Sequence, residues 1–207
     1  NAFVLRYSVK PSVFPVALLE AADAMTMIRE HAAEWHVDPD AIAVIGFSAG
    51  GHLAANLATS TSDDVLVAHG YDPDAVRPNG LMLAYPVITS GPLAHRGSFD
   101  SLLGERRNDS QALESVSIER HIDAKTPPVF VWHTVPDETV PYENTLMLID
   151  ACKKAGVSIE AHLFPQGGHG LSLGTAETAW QGVNGIEPSI QIWPQLAVSW
   201  MRRTFAR

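Results

Sequence analysis

The segment that most constrains the fold is 42–58, where an apolar run enters a turn of one serine and three glycines and continues at once as a helical pattern. Residues 42–47 read IAVIGF, a short and almost wholly apolar strand typical of a parallel sheet that is covered on both faces. At the junction, Gly46, Ser48 and Gly50 form the pattern G-x-S-x-G. The pattern predicts either a turn that is tight for packing reasons or a serine held at an exposed apex.

The rest of the chain alternates between strand and helix patterns, which predicts an α/β fold with a mostly parallel sheet and helices on both faces. In chain order, the predicted strands are 2–9, 42–47, 80–88, 127–134 and 158–165, and the predicted helices are 16–35, 48–60, 141–155 and 190–204. We expect Pro194 to interrupt the last helix. The one long connection, about 89–126, is either a lid over a site or a neutral insertion. We expect residues 1–207 to form a single domain.

Charge and composition limit the functional classes. The net charge of −9 argues against a nucleic-acid partner, because such a partner needs a basic face. No apolar run approaches the roughly 18 residues that span a bilayer, and no signal peptide is visible, so we expect a cytoplasmic protein without a membrane partner. Cys152 is the single cysteine, and we expect it to be buried. We expect no metal or cofactor, because no ligand cluster or nucleotide-binding glycine motif is present.

A serine nucleophile needs a base, usually histidine, and a carboxylate that orients the base. In sheets of this class the chain order is serine, then aspartate or glutamate, then histidine. That order selects Ser48, then Asp137 beyond the carboxyl end of one predicted strand, then His169 in a glycine-rich loop after the next. Glu138 is the alternative to Asp137. The backbone N–H of Ala49, at the start of a helix, is placed to stabilise an oxyanion.

Other histidines and aspartates are weaker candidates. We expect His52, one turn into the helix after Ser48, to serve packing or capping, and we consider His133 and Tyr142 as wall residues of the site. Six histidines have no comparable context: His31, His36, His69, His95, His121 and His162. Four aspartates precede strand 80–88 and are expected in a solvated loop at the opposite edge of the sheet: Asp63, Asp64, Asp72 and Asp74.

Taken together, several segments resemble the α/β-hydrolases, and more narrowly the bacterial esterases related to acetyl-xylan and other carbohydrate esterases. The resemblance is carried by IAVIGFSAGGHLAANLA, LMLAYPVIT, the stretch from TPPVFVWHT through DETVP to GGHGLSLG, and WPQLAVSWM. In that family the serine of G-x-S-x-G, the aspartate of D-x-x-V-P and the histidine of G-G-H-G form a catalytic triad. The resemblance therefore implies a triad of Ser48, Asp137 and His169 in a three-layer fold.

The resemblance also implies a function. It implies a serine esterase that hydrolyses small-molecule esters of short acyl groups, such as an acetyl group on a xylose-type sugar. Two alternatives stay open at this point. The same triad serves amide and peptide hydrolysis in related formamidases and peptidases, and a binding module can keep the scaffold without catalysis.

The beginning of the chain departs from the family pattern. The family has a glycine-rich loop of HGGG or PGGGY type that supplies a second oxyanion N–H, and residues 1–47 hold no counterpart. We therefore expect the sequence to be N-terminally incomplete and to lack the first strands of the sheet. We expect the isolated polypeptide to be poorly active or unstable, since one lost oxyanion donor costs on the order of 10²–10³ in kcat.

Overall fold

A four-stranded parallel sheet forms the centre of the computed structural model, which describes residues 1–180 and 185–206. Its strands lie side by side in chain order: β1 (Ala43–Phe47), β2 (Gly80–Ala84), β3 (Val129–Thr134) and β4 (Ile159–Phe164). Each neighbouring pair is parallel, with Phe47 opposite Ala84 and Ala84 opposite Trp132. All four strands therefore end at one edge of the sheet, where sites of open α/β folds form.

Helices cover both faces of this sheet. They are α1 (Val16–Glu30), α2 (Ala49–Ala58), α3 (Asp63–Ala68), α4 (Pro73–Val76), α5 (Arg96–Leu103), α6 (Ser110–Ser115), α7 (Glu143–Ala155) and α8 (Trp193–Thr204). Helices α2 and α7 pack on one face, in a core that includes Ala55, Val131 and Leu148. Helix α8 covers the other face, where Trp193 stacks on Trp132 with ring centroids 5.5 Å apart. The predicted three-layer α/β arrangement is confirmed.

Residues 2–9 form no strand, contrary to the prediction from their sequence. In the described part of the chain β1 is an edge strand of the sheet, and this segment does not pair with it. It is held by other contacts instead. Phe3 packs against Trp35 with ring centroids 5.3 Å apart, and the amide and hydroxyl of Ser8 both donate to the Glu20 carboxylate at 2.6 Å. An apolar pattern indicates strand propensity but does not supply a partner.

Several predicted boundaries are also wrong. Helix α1 ends at Glu30 and strand β2 at Ala84, earlier than their apolar patterns suggest. Pro194 lies in the first turn of α8 rather than inside a longer helix. The N–H groups of a first turn have no partner within the helix, so a proline, which lacks the N–H, is tolerated there. Among the described residues, no helix is both long and apolar enough to cross a bilayer.

The acidic stretch before β2 is helical rather than a loop, although Asp64, Asp72 and Asp74 are exposed to solvent as predicted. It forms α3 and α4, and the Asp72 side chain accepts a hydrogen bond from the Asp74 amide at 3.0 Å to begin α4. The Asp63 carboxylate pairs at 2.8 Å with Arg77, which is only 7% exposed. A pattern of charged residues does not reveal that one of its members pairs with a buried guanidinium.

Region 89–126 contains α5, α6 and two short 3₁₀ turns, at Gly104–Arg106 and Ile118–Arg120. Its apolar side chains form one buried cluster with a residue after β2 and a residue before α7. The cluster consists of Val87, Phe99, Leu103, Ala112, Val116 and Val140. The buried amide of Asn144 fixes the start of the region, since its oxygen accepts from the N–H groups of Ile88 at 2.9 Å and Thr89 at 3.1 Å. The region therefore lies beside the carboxyl edge of the sheet.

Candidate active site

Ser48 stands at the sharp turn between β1 and α2. Its φ of 53° and ψ of −120° lie in a region that non-glycine residues rarely adopt, so the turn is strained. Two backbone hydrogen bonds, one to the last residue of β2 and one to the segment after it, fix the turn at Ser48. The Ser48 amide donates to the Ala84 carbonyl at 3.0 Å, and its carbonyl accepts from the Val87 amide at 3.2 Å. The surrounding backbone, rather than a side chain, holds the serine in place.

Close backbone approach explains two of the glycines around Ser48. A Cβ atom on Gly46 would lie 2.2 Å from the carbonyl oxygen of Gly50, and one on Gly51 would lie 2.9 Å from Cβ of Pro86. At Gly50 the added atom would meet only the Tyr7 hydroxyl, at 3.3 Å. The absence of a side chain is therefore essential at Gly46 and Gly51, whereas the backbone of Gly50 is what approaches Gly46.

The structure joins the three predicted side chains in one hydrogen-bonded chain. Oγ of Ser48 lies 2.7 Å from Nε2 of His169, and Nδ1 of His169 lies 2.6 Å from Oδ2 of Asp137. Because a carboxylate only accepts hydrogen bonds, Nδ1 carries the ring proton of the neutral imidazole and Nε2 is left to accept from the serine hydroxyl. Glu138, the alternative carboxylate, is exposed.

Asp137 is buried and fully engaged. Its Oδ1 accepts from the backbone N–H groups of Thr139 and Val140, both at 2.9 Å, and its Oδ2 is shared by His169 and His133. Burial raises the pKa of this carboxyl, but the hydrogen bonds from His133, His169 and the Val140 amide, with the charge of His169, outweigh burial and hold the pKa well below its usual range. The carboxylate therefore stays ionised beside the imidazole.

The loop after β4 carries His169, and Tyr85 supports it. The Tyr85 ring meets the imidazole edge-on with centroids 4.9 Å apart, and its hydroxyl accepts from the Ser172 amide at 3.1 Å. The Thr134 hydroxyl donates to the carbonyl of Gly168 at 3.1 Å. Tyr85 was not among the predicted site residues. Its position directly after β2, at the edge where Ser48 also lies, was the available signal.

Ala49 is the first residue of α2, where a helix leaves its N–H groups without intrahelical partners. A cavity of about 140 Å³ lies against this point. Its lining includes Ala49, His52 and Leu53 of α2, Ser98 and Leu102 of α5, and ten residues of the N-terminal segment between Tyr7 and Leu18. Region 89–126 therefore contributes to a cavity beside the elbow.

Of the other candidates, His133 is fully buried behind Asp137 rather than in an open wall of the site, and the remaining histidines lie outside the hydrogen-bonded chain. His52 donates from Nε2 to the Val116 carbonyl at 2.8 Å, and burial lowers its pKa to about 4, so it is a neutral packing residue as expected. Five other histidines make contacts elsewhere: His31, His69, His95, His121 and His162. In the described ranges no three His, Cys, Asp or Glu side chains are grouped so that they could hold a metal ion.

Comparison with known proteins agrees with this architecture. The BD-FAE family profile matches residues 5–151. The chain is 33% identical over 188 residues to endo-1,4-beta-xylanase B of Butyrivibrio fibrisolvens, covering 88% of this chain and 29% of that protein. It is 28% identical over 177 residues to an acetylxylan esterase of Xylanibacter ruminicola, covering 84% of this chain and 35% of that protein.

A solved structure, the acetyl ester-xyloside bifunctional hydrolase from Caldicellulosiruptor lactoaceticus, superimposes with a TM-score of 0.81 at 37% identity. The match covers 97% of this chain and 70% of that chain. The chain spans about a third of the length of the two curated relatives. The family match extends from the N-terminal segment into α7 and includes the serine elbow and Asp137. The chain therefore belongs to the BD-FAE family and has the α/β-hydrolase fold.

Proposed function

We propose that this chain is a serine esterase that hydrolyses short-acyl esters through an acyl-enzyme on Ser48. The observation that carries the proposal is the hydrogen-bonded chain from Ser48 through His169 to Asp137, built on a strained turn at the carboxyl edge of the sheet. Two similar proteins, named as an acetylxylan esterase and an acetyl ester-xyloside bifunctional hydrolase, support an ester, and more narrowly an acetyl group on a xylose-type sugar.

In the first half-reaction, Oγ of Ser48 attacks the ester carbonyl carbon while Nε2 of His169 takes the hydroxyl proton. Asp137 accepts the hydrogen bond from Nδ1 and stabilises the imidazolium that forms. The backbone N–H of Ala49 donates to the negative oxygen of the tetrahedral intermediate. When the intermediate collapses, the carbon–oxygen bond to the alcohol breaks and His169 returns its proton to that alcohol.

In the second half-reaction, water attacks the acyl group on Ser48 and His169 again takes the proton. Collapse releases the carboxylic acid and restores the serine hydroxyl.

Hydrolysis of p-nitrophenyl acetate tests this proposal. We expect slow but measurable turnover by the wild-type protein, because Ala49 is the one oxyanion donor identified above, and a further fall in kcat of up to roughly 10⁶ in Ser48→Ala, because removing the nucleophile disables the triad as a unit. Ser115→Ala is the matched control, since Ser115 is an exposed serine at the end of α6. A Ser48→Ala protein that retains as much activity as the Ser115→Ala control would contradict the mechanism.

The same assay separates the alternative functions. Acetylated xylo-oligosaccharides and N-formyl or peptide substrates are offered side by side to the wild-type protein. Faster turnover of the sugar ester supports the proposal, and faster turnover of the amide identifies an amide hydrolase with the same triad. No turnover of any substrate, together with an unreactive Ser48, identifies a non-catalytic binding module.

A further inference from the structure

A second histidine contacts the same carboxylate as His169. His133, at the end of β3, is fully buried, and its Nε2 lies 3.2 Å from Oδ2 of Asp137 and 3.0 Å from the carbonyl oxygen of Val140. On the other side of the ring, Nδ1 lies 2.8 Å from the hydroxyl of Thr145 in α7, which is also fully buried. The reaction steps above make no use of His133 or Thr145.

The partners of His133 determine where its proton lies. The Asp137 carboxylate and the Val140 carbonyl can only accept, so Nε2 must donate to them. The neutral ring then has an acceptor at Nδ1, and the Thr145 hydroxyl donates to it. The two acceptors at Nε2 therefore fix the tautomer of His133, and the Thr145 hydroxyl satisfies the other ring nitrogen and holds the ring in the orientation that donates to Asp137.

We propose that His133 and Thr145 form a positioning pair that holds Asp137 and sets its strength as the hydrogen-bond acceptor of His169. Nδ1–H of His169 and Nε2–H of His133 share one oxygen, Oδ2, so each donor reduces the electron density available to the other. The backbone amides on Oδ1 fix the opposite side of the carboxylate. The importance of this pair for catalysis rests on the proposed esterase function.

The other ionisable group at this point is Tyr85, which packs against His169. Burial raises the pKa of Tyr85 and the charge of Asp137 adds to that effect, against a hydrogen bond from the Ser172 amide. Tyr85 is therefore the neutral phenol, and it is not placed to replace His133 as a donor, because its hydroxyl faces Ser172.

Four variants test the pair. His133→Phe and Thr145→Val remove a donor, whereas His133→Gln and Thr145→Ser retain one. We expect His133→Phe to lower kcat/KM on the order of 10–100-fold, the loss expected when a hydrogen bond to a charged group is removed. Thr145→Val should lower kcat/KM less, because His133 can still donate to Asp137. In His133→Phe the acid limb of the pH profile should move to higher pH, because a carboxylate with one donor fewer stabilises the His169 imidazolium more strongly.

A second readout does not depend on turnover. The low-field proton resonance of Nδ1–H in His169 should move further downfield in His133→Phe and return towards its wild-type position in His133→Gln. If His133→Phe does not fold, His133→Leu, which also has no donor to offer Asp137, carries the same test.

Two outcomes separate the hypotheses. A resonance and an acid limb that stay unchanged in His133→Phe or His133→Leu while thermal stability falls would show that His133 only packs, and would overturn the pair. A wild-type protein without turnover would instead overturn the esterase, while the resonance still decides whether His133 shares the carboxylate.

Discussion

The Asp137 carboxylate accepts hydrogen bonds from four other residues of the proposed site. Two backbone amides hold one carboxylate oxygen and two imidazoles contact the other, so the side chain can neither rotate nor take up a proton near neutral pH. The turn just after β3 brings the N–H groups of Thr139 and Val140 back to the Asp137 carboxylate, so the position of the carboxylate depends on that turn. The function of His169 depends on this one carboxylate.

Replacing Asp137 by asparagine should lower kcat by about 10⁴, because an amide can present its N–H to Nδ1 and force the unproductive tautomer of His169. Steady-state ester hydrolysis measures this loss. Asp150→Asn is the control, since Asp150 is an exposed residue of α7 paired with Lys154. An Asp137→Asn protein within tenfold of wild type would show that the carboxylate does not orient the base.

His52 should make stability depend on pH. Burial lowers its pKa to about 4, whereas an unfolded histidine has a pKa of about 6.5. Between these values the unfolded chain binds one more proton than the folded chain, so the free energy of unfolding falls as pH falls through this window, by about 3 kcal/mol at most. Urea unfolding at pH 7 and pH 4 measures the difference.

The contribution of His52 is isolated by comparing variants. His52→Gln should show a shallower loss of stability from pH 7 to pH 4 than wild type, because its amide keeps polar partners but does not titrate. His69→Gln, at an exposed histidine after α3, should retain the wild-type slope. Equal slopes in all three proteins would mean that His52 is not the buried neutral group described above.

At the scale of elements, the elbow depends on how closely β1 passes α2. Gly46→Ala would place a Cβ atom 2.2 Å from the Gly50 carbonyl oxygen, so strand and helix must separate. We expect a loss of about 1–3 kcal/mol or more in the free energy of unfolding, and a larger proportional loss of activity as Ser48 moves. Gly97→Ala in α5 meets only ordinary contacts and should be neutral or stabilising. Similar effects at both positions would contradict the close approach.

The elements also show why the sequence predicted part of this site. Ser48, Asp137 and His169 each follow the carboxyl end of a strand, and such ends meet at one edge of a parallel sheet, so chain order alone brings them together. Thr145 lies on α7 and reaches His133 across the packing between helix and sheet. No spacing pattern records that contact. Strand 2–9 was predicted wrongly because propensity is local and pairing is not.

At the scale of the whole molecule, α8 links the second face of the sheet to the loop that carries His169. The indole N–H of Trp193 donates to the Ser172 carbonyl at 2.8 Å, while its ring stacks on Trp132 of β3. The sequence predicted this helix, although it began the helix at 190 instead of Trp193, and it could not show that Trp193 holds the site loop. Packing of α8 should therefore affect both stability and activity.

Trp193→Ala should lower the free energy of unfolding by about 3–5 kcal/mol, the usual cost of removing a buried large aromatic side chain. It should also weaken ester hydrolysis, because the loop after β4 loses its anchor. Val198→Ala, on the exposed side of the same helix, should change neither by much. Chemical denaturation and kcat/KM measured on both variants provide the check. A Trp193→Ala protein as stable as Val198→Ala would refute this role for α8.

Reaction with a fluorophosphonate tests most directly whether Ser48 is an activated nucleophile. The reagent forms a bond to the oxygen of an activated serine with loss of fluoride. We predict one label per chain, mapped by peptide mass spectrometry to Ser48, and no label in Ser48→Ala. Asp137→Asn should react much more slowly than wild type, because its His169 does not remove the proton from Ser48. An unlabelled wild-type protein, or a label at another serine that persists in Ser48→Ala, would contradict the central claim that this elbow holds an activated nucleophile.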